Sequence, residues 1–371
     1  MIELLARHTL LRHLLVTLAA GVALLALTYT LSPYRNYQLA TMAAYLCATA
    51  GLTVLVGLSG QLSLGHGALM AVGAYTYALM SAEVGDRGTT GPMLLLLPLV
   101  AAVVATAIVG GIVGLAGARL FGPYLAGLTL TLTIVVPAIT TTFADQLGGD
   151  QGLSVLVEPA PASLGITFPL ERWQAWIACA AALLTMLLLA NLVHSRFGRE
   201  MRAVRDDEVA ARLSGINVQR TKVIVFVVSA ATAGLGGGIL AILTQSVSPG
   251  AFSLAFSLFL LMAVVIGGIG SLAGAVWGAL LLVALPEITD SLADNIGSSP
   301  QLAERLDGNL SLAVFGLVLI LVTIVFPRGI QGLVSAVSQR TRRSGRPPSS
   351  RPGTTTTEDP PTTTSSESID A

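Results

Sequence analysis

Residues 223–286 read VIVFVVSAATAGLGGGILAILTQSVSPGAFSLAFSLFLLMAVVIGGIGSLAGAVWGALLLVALP, 64 positions without an Asp, Glu, Lys or Arg. A helix that crosses the hydrocarbon of a bilayer needs about 20 mostly apolar residues, so this run holds two or three crossings. Its flanks decide how many. Segment 196–222 carries Arg196, Arg199, Arg202, Arg205, Arg212, Arg220 and Lys222, and the tail beyond 327 carries six more arginines. Lys and Arg in short connections mark the cytoplasmic side, so both segments are predicted inside and an even number of crossings must join them. The charge-free run 308–327 is one crossing. Run 223–286 then holds an odd number, and three fits its length where one does not.

Working outward, the same criterion marks 13–34, 36–82, 88–118, 120–144 and 173–195, of which 36–82 is long enough for two spans. The expectation is an all-α polytopic integral membrane protein of about ten transmembrane helices with both termini cytoplasmic. On that topology 16 of the 20 basic residues lie inside, Arg119 sits in a short inner loop, and 145–172 and 287–307 face outside. The first run follows Arg7 and Arg12, but it is too long for a signal-peptide core and ends in no small-residue cleavage site, so it is read as a retained helix. Composition agrees: 53% of residues are hydrophobic and 11% charged, and mean hydropathy is +0.78. The transmembrane domain is predicted over 1–339. Residues 340–371, rich in Arg, Thr, Pro and Ser, have almost nothing to bury and are predicted to be a disordered cytoplasmic tail whose arginines touch anionic membrane lipid.

Several functions are excluded. Net charge is zero, so no bulk field points to nucleic acid. Cys47 and Cys179 lie in apolar runs with no metal-ligand spacing near them and are read as packing residues. No metal or cofactor is predicted. The single lysine, Lys222, is not preceded by glycine, so the chain has no phosphate-binding loop for ATP. No acidic or basic residue falls inside the proposed spans, which argues against proton-coupled carriage, although sodium coupling through carbonyls and hydroxyls stays open. His66 has no nucleophile or carboxylate near it in sequence, and no other catalytic constellation is present; the chain is not read as an enzyme.

Two segments stand out. In GREMRAVRDDEVAARLSGINVQRTK (198–222), Asp206 suits a helix cap, Asp207 and Glu208 place negative charge in a first turn, and Gly215 suits the left-handed residue after a last turn. A short helix over 207–214 is predicted, with Val209, Leu213 and Ile216 on one narrow apolar face. It is either a solvated connector or a helix that docks into a groove of another protein. The other segment, GLSGQLSLGHGALMAVGAYTYALM (57–80), breaks its apolar pattern at Ser59, Gly60, Gln61, Ser63, Gly65 and Gly67, with His66 among them. Unwound backbone at membrane depth is tolerated only where protein or a water-filled cavity covers it. Residues 59–66 therefore either line the translocation path or its inner gate, with Ser59, Gln61, Ser63, Gly65 and His66 as the lining, or form a packed turn. The glycines here, in GLGGGILA (234–241) and in GGIGSLAGAVWG (267–278) also suit close helix packing. Thr129, Thr131 and Thr133 are read as helical, their hydroxyls bonding back to carbonyls.

VAARLSG (209–215) resembles the loop of ATP-binding-cassette importer permeases in which two alanines and a following glycine mark the ATPase-contacting helix, with Val209 where Glu is usual. Together with GLSGQLSLGHGAL (57–69), GPYLAGLTL (122–130), LGGDQGL (147–153), VIGGIGSLAGAVWGAL (265–280) and FPRGIQGL (326–333), it is similar to the branched-chain amino acid permeases, the longer subunit in particular. Related urea permeases share much of the pattern. The resemblance implies a prokaryotic cell-membrane importer subunit for branched-chain amino acids, paired with a second permease subunit, two ATPase subunits and an external solute-binding protein. It also implies that Arg205, Asp206, Asp207, Glu208, Val209, Ala210, Ala211, Leu213 and Gly215 form the ATPase-coupling segment. A urea or other small-solute permease, or a stand-alone carrier or channel, is the alternative.

Overall fold

A computed structural model describes residues 9–89, 91–120, 123–157, 159–165, 168–296, 316, 317, 320, 329–332 and 335. The long elements are α1 (Thr9–Thr30), α2 (Pro33–Leu52), α3 (His66–Asp86), α4 (Pro92–Gly117), α5 (Pro123–Thr142), α6 (Leu170–His194), α7 (Arg196–Asp206), α8 (Glu208–Leu213), α9 (Val218–Thr244), α10 (Leu254–Gly268) and α11 (Leu272–Ile296). The chain divides into units 1–333 and 334–371, and the helices just named all belong to the first. The predicted crossing at 308–327 and the tail 340–371 lie, apart from a few positions, outside the described residues.

Among the described residues six helical stretches are long and apolar enough to cross a membrane: 10–30, 33–58, 92–117, 124–142, 170–194 and 218–244. Two shorter apolar helices occupy 254–268 and 272–288. The charge-free run 223–286 thus contributes three helices, the middle one of 15 residues. Helix α3 is missing from the long apolar set because His66, Tyr75, Tyr77, Glu83, Asp86 and its glycines dilute its hydropathy; 13 of its 21 residues are buried. Helix α11 runs on past Pro286 to Ile296, so residues 287–296, expected in an outer loop, are helical. Proline costs one ladder bond and a local kink, and EITDSLADNI behind it carries enough helix formers to resume. Gln38 Nε2 donates to Glu287 Oε2 at 2.8 Å, tying this extension to α2.

Helix α9 is the hub, packed on α2, α3 and α4, while α2 also holds α6 and the α10–α11 hairpin. Glycine sets these approaches. A Cβ on Gly234 would meet Thr106 of α4 at 2.6 Å, one on Gly236 would stand 2.6 Å from the Ala44 carbonyl of α2, and one on Gly237 would collide with Met70 of α3. The GLGGG run thus lets one helix touch three neighbours, the small-residue packing that membrane helices use in place of a hydrophobic drive. Helix α1 lies outermost, against α6. Cys47 and Cys179 are buried together in the α2–α6 contact. At the far end of α9 a two-residue antiparallel pairing, Leu153 with Val247 and Ser154 with Ser246, pins the connection after α5 onto the turn after α9. Nothing in the sequence pattern announces that pairing.

Candidate functional site

Helix α2 does not stop at a cap. Its end widens into a π-helix over Thr53–Leu58, a rare form that concentrates at functional sites, and the chain is then unwound from Gly60 to Gly65 before α3 begins at His66. The freed backbone is satisfied from several sides. Gln61 N donates to the Leu55 carbonyl at 3.1 Å, Leu64 N to Thr129 Oγ1 of α5 at 2.9 Å, and Gly67 N to Ser257 Oγ of α10 at 3.1 Å. Thr129, Thr131 and Thr133 do bond back to their own helix, but Thr129 also serves the break. Thr129 and Ser257 are partners that sequence reasoning missed.

The five residues expected to line a path fall in or beside this break. Ser59, Gln61, Ser63 and His66 are buried, and Gly65 lies so near the Thr129 backbone that a Cβ would collide with it. Ser59 Oγ donates to the Leu55 carbonyl at 2.8 Å and accepts from Gln61 Nε2 at 2.9 Å. Gln61 Oε1, Ser63 Oγ and both ring nitrogens of His66 are enclosed without a hydrogen bond of ordinary geometry. Buried polar groups are nearly always paired. Three side chains with open hydrogen-bonding capacity within six residues, none of them Asp, Glu, Lys or Arg, form a buried polar seam.

Helices α7 and α8 are fastened directly beneath the break. Ser195 Oγ caps α7 by accepting from Gly198 N, and Gly198, Met201 and Val204 form its buried face. This 11-residue helix was not expected from the sequence, although Met201 and Val204 at i, i+3 between arginines are its signature. Arg205, at its end, donates from Nη1 to the Gly57 carbonyl of the π-helix at 2.8 Å and holds Asp206 Oδ1 through Nε and Nη2 at 2.9 and 2.8 Å. Gly60, at φ +71°, gives the arginine room: a Cβ there would stand 2.9 Å from Arg205 Cγ.

The cap of α8 differs by one residue from expectation. Asp206 still belongs to α7, and it is Asp207, with extended backbone (φ −158°, ψ 112°), whose Oδ1 accepts from Val209 N at 2.8 Å and Ala210 N at 3.0 Å. Only the residue whose backbone has left the helical region can turn its side chain onto those N–H groups. At the other end Gly215 has φ +81°; Gly215 N donates to the Arg212 carbonyl and Ile216 N to the Ala211 carbonyl, both at 3.0 Å, the paired bonds of a Schellman stop. Glu208, in the first turn, forms an ion pair with Lys222 of α9, and the Lys222 carbonyl accepts from Gln61 Nε2 at 3.2 Å. So two separate links reach the break from below, Glu208–Lys222–Gln61 from α8 and Arg205–Gly57 from the end of α7.

The faces of α8 sort differently from the two-alanine reading. Ala211 is buried against Val204 and Val218, so it spaces α8 from α7 and α9 rather than from a partner. Ala210 is exposed, and Val209 and Leu213 stand 65% and 85% exposed, a bare apolar pair among charges.

The family model described as branched-chain amino acid transport system / permease component matches residues 34–323. Among individual proteins, the chain is 33% identical over 277 residues to the high-affinity branched-chain amino acid transport system permease protein LivM of Salmonella typhimurium, covering 68% of this chain. The chain spans 63%, less than two thirds, of that relative's own length. It is 27% identical over 300 residues to LivH, a permease protein of the same transport system in Escherichia coli, covering 78% of this chain and 91% of that one. Over 146 residues it is 36% identical to the xylose transport system permease protein XylH of Escherichia coli, covering 37% of this chain and 35% of the other. No solved structure matches the chain. Since the family model covers well over half of its residues, the chain belongs to the family of branched-chain amino acid transport permease components.

Proposed function

We propose that this chain is the permease subunit of an ATP-binding-cassette importer that moves branched-chain amino acids across a prokaryotic cell membrane. It works with a second permease subunit, two separate ATPase subunits and an external solute-binding protein. The proposed topology has about ten crossings and cytoplasmic termini, with residues 1–339 as the permease domain and 340–371 as a disordered cytoplasmic tail. In this reading α8 seats in the ATPase through Val209, Ala210 and Leu213. Arg205, Asp206, Asp207, Glu208, Ala211 and Gly215 keep α7 and α8 rigid and fastened. The seam at Ser59, Gln61, Ser63, Gly65 and His66 is the inner gate.

The single observation that supports this most is the connection from α7 and α8 to the break, through Arg205–Gly57 and Glu208–Lys222–Gln61. A push on α8 reaches the gate through two charge-assisted contacts rather than through a flexible loop, and such coupling needs a contiguous element with two discrete arrangements. The π-helix and the unwound Gly60–Gly65 are that element. A seam without carboxylates or cations suits a zwitterion with an aliphatic side chain, and the similarity to LivM points to the same solutes. The test is uptake of labelled leucine, isoleucine and valine into proteoliposomes holding the complete complex. Uptake is expected to require ATP and the ATPase subunits and to persist when an ionophore collapses ion gradients. Gradient-driven uptake by this chain alone would establish a carrier, and preferential uptake of urea would replace the solute.

A further inference from the structure

Helix α1 leaves an apolar groove against α6. Leu14, Leu18, Gly21 and Leu25 form one wall, Leu183 and Leu187 the other, and the groove encloses about 570 Å³. It runs from Leu14 to Thr28, about 21 Å at 1.5 Å per residue, longer than the ~15 Å of one leaflet of hydrocarbon. At its Thr28 end stands an aromatic cluster. Trp176 Nε1 donates to Thr28 Oγ1 at 2.9 Å, and the Trp176 ring lies 6.1 Å from Tyr29, 5.2 Å from Phe168 and 6.4 Å from Trp173. On top of them sits Arg172, its guanidinium carbon 4.8 Å from the centre of the Tyr29 ring and 5.5 Å from that of Phe168.

Arg172 takes part in no ion pair among the described residues, and its Nε is enclosed without a hydrogen bond. The rings hold the guanidinium by cation–π contact, which leaves its terminal N–H donors to meet an anion. Tryptophan and tyrosine gather where a membrane protein passes from hydrocarbon to headgroup. A fixed cation at that level, directly above an acyl-length apolar groove, is complementary to a phosphodiester with a fatty chain beneath it.

We infer that the α1–α6 groove is a built phospholipid site: one acyl chain lies along Leu14–Thr28, and Arg172 holds the headgroup phosphate against the Tyr29, Phe168 and Trp176 rings. The bound lipid wedges α1 onto α6, its main neighbour among the described residues. The inference rests on the membrane placement of these helices and not on the identity of the solute.

The experiment uses the full transporter, purified in mild detergent from vesicles of phosphatidylglycerol and phosphatidylethanolamine, with retained phospholipid counted by native mass spectrometry. Wild type is expected to keep about one phospholipid per permease chain through delipidation. Arg172→Gln removes one lipid-facing charge and is expected to lower that retention about fivefold, while Arg172→Lys keeps part of it. Gly21→Phe, whose Cβ would already sit 3.3 Å from Leu183 Cδ1, should expel the chain with Arg172 intact. Should that variant fail to insert, the Gln and Lys pair decides by itself. Equal retention in wild type and Arg172→Gln, no retention in wild type, or a disulfide between two chains carrying cysteine at Leu18 would each overturn the site, the last by putting a protein in the groove.

Discussion

Arg205 Nη1 donates a 2.8 Å hydrogen bond to the carbonyl of Gly57, 148 positions away, and so fastens the end of α7 to the π-helix that closes α2. Gly57 is itself pressed on Gly270, so closely that no Cβ fits between them. The carbonyl that receives the arginine thus sits where α7, α2 and the α10–α11 turn converge. A hydrogen bond from a charged donor is worth about 1.5–3 kcal/mol net, enough to shift a two-state gate roughly tenfold to a hundredfold. Arg205→Ala is therefore expected to leave the complex assembled while uncoupling it: ATP hydrolysis continues, and solute transported per ATP falls by about that factor. Arg205→Lys, with a single ammonium in place of a planar fork, should fall between. Unchanged stoichiometry in Arg205→Ala would remove this contact from the coupling route.

The ion pair of Glu208 with Lys222 makes a second, independent prediction. Lys222 is buried and Glu208 only partly exposed, so removing one partner leaves the other charge poorly solvated. Glu208→Gln and Lys222→Met should each lower transport and loosen α8 against α9, seen as faster hydrogen exchange over 208–214. The pair Glu208→Lys with Lys222→Glu should recover part of both. If the swap is no better than the single changes, the residues act separately.

The exposed face of α8 is predicted to bind the ATPase. Leu213→Ser and Val209→Ser remove apolar surface that is mostly exposed among the described residues, so membrane level and thermal stability should change little while ATPase co-purification drops. Asp207→Ala removes the cap and should cost about 1 kcal/mol of local helix stability with a milder form of the same defect. Asp206→Ala should be weaker still, because Asp206 accepts from Arg205 and caps nothing. Normal ATPase capture by Leu213→Ser with Val209→Ser combined would make α8 a plain connector. A large residue at Ala211 would not test this, since it would first disrupt packing with Val204 and Val218.

The helix blocks were legible because lipid imposes a coarse rule, a long run without charge, that 223–286 and its neighbours obey. Gly215 was legible because a positive φ at a helix end favours glycine so strongly. What was not legible depends on partners far off in the chain. Asp206 and Asp207 are equally good caps by composition, and where α7 ends, set by burial of Met201 and Val204, chooses between them. Glu287 ends the charge-free run, and only the fold shows that the helix continues through it to Ile296. Gly57 and Gln61 look like packing and gate residues in isolation; their links to Arg205 and Lys222 exist only once α7 and α9 are laid beside the break.

The topology gives a prediction independent of any partner. Asp150 lies in the connection that follows α5, one of the two outer loops on the ten-crossing scheme. A cysteine in place of Asp150, in a background lacking Cys47 and Cys179, should react with an impermeant maleimide in intact cells. A cysteine at Gln219, near the start of α9, should react only after lysis. The reverse pattern would invert the scheme, and labelling of both in intact cells would break the crossing count.

The last prediction concerns the seam. His66 is fully buried at the first position of α3, and neither ring nitrogen forms a regular hydrogen bond, so its imidazole contributes little to holding the fold through polar contacts. Ser257 differs, since its hydroxyl accepts from Gly67 N and anchors the start of α3 on α10. If the seam is the gate, His66→Ala should lower transport several-fold and by clearly more than it lowers membrane level, the latter reporting the cavity left by a buried ring. Ser63→Ala, which removes another unpaired buried hydroxyl, should do the same or stabilise the protein slightly, as expected when an unsatisfied polar group leaves a buried site. Ser257→Ala should lower stability and transport together, because the Gly67 N–H loses its acceptor. The contrast between these variants carries the test. Parallel losses of transport and membrane level in His66→Ala and Ser257→Ala would make the break a packed turn, and the unpaired groups at 61–66 would then have no part in moving solute.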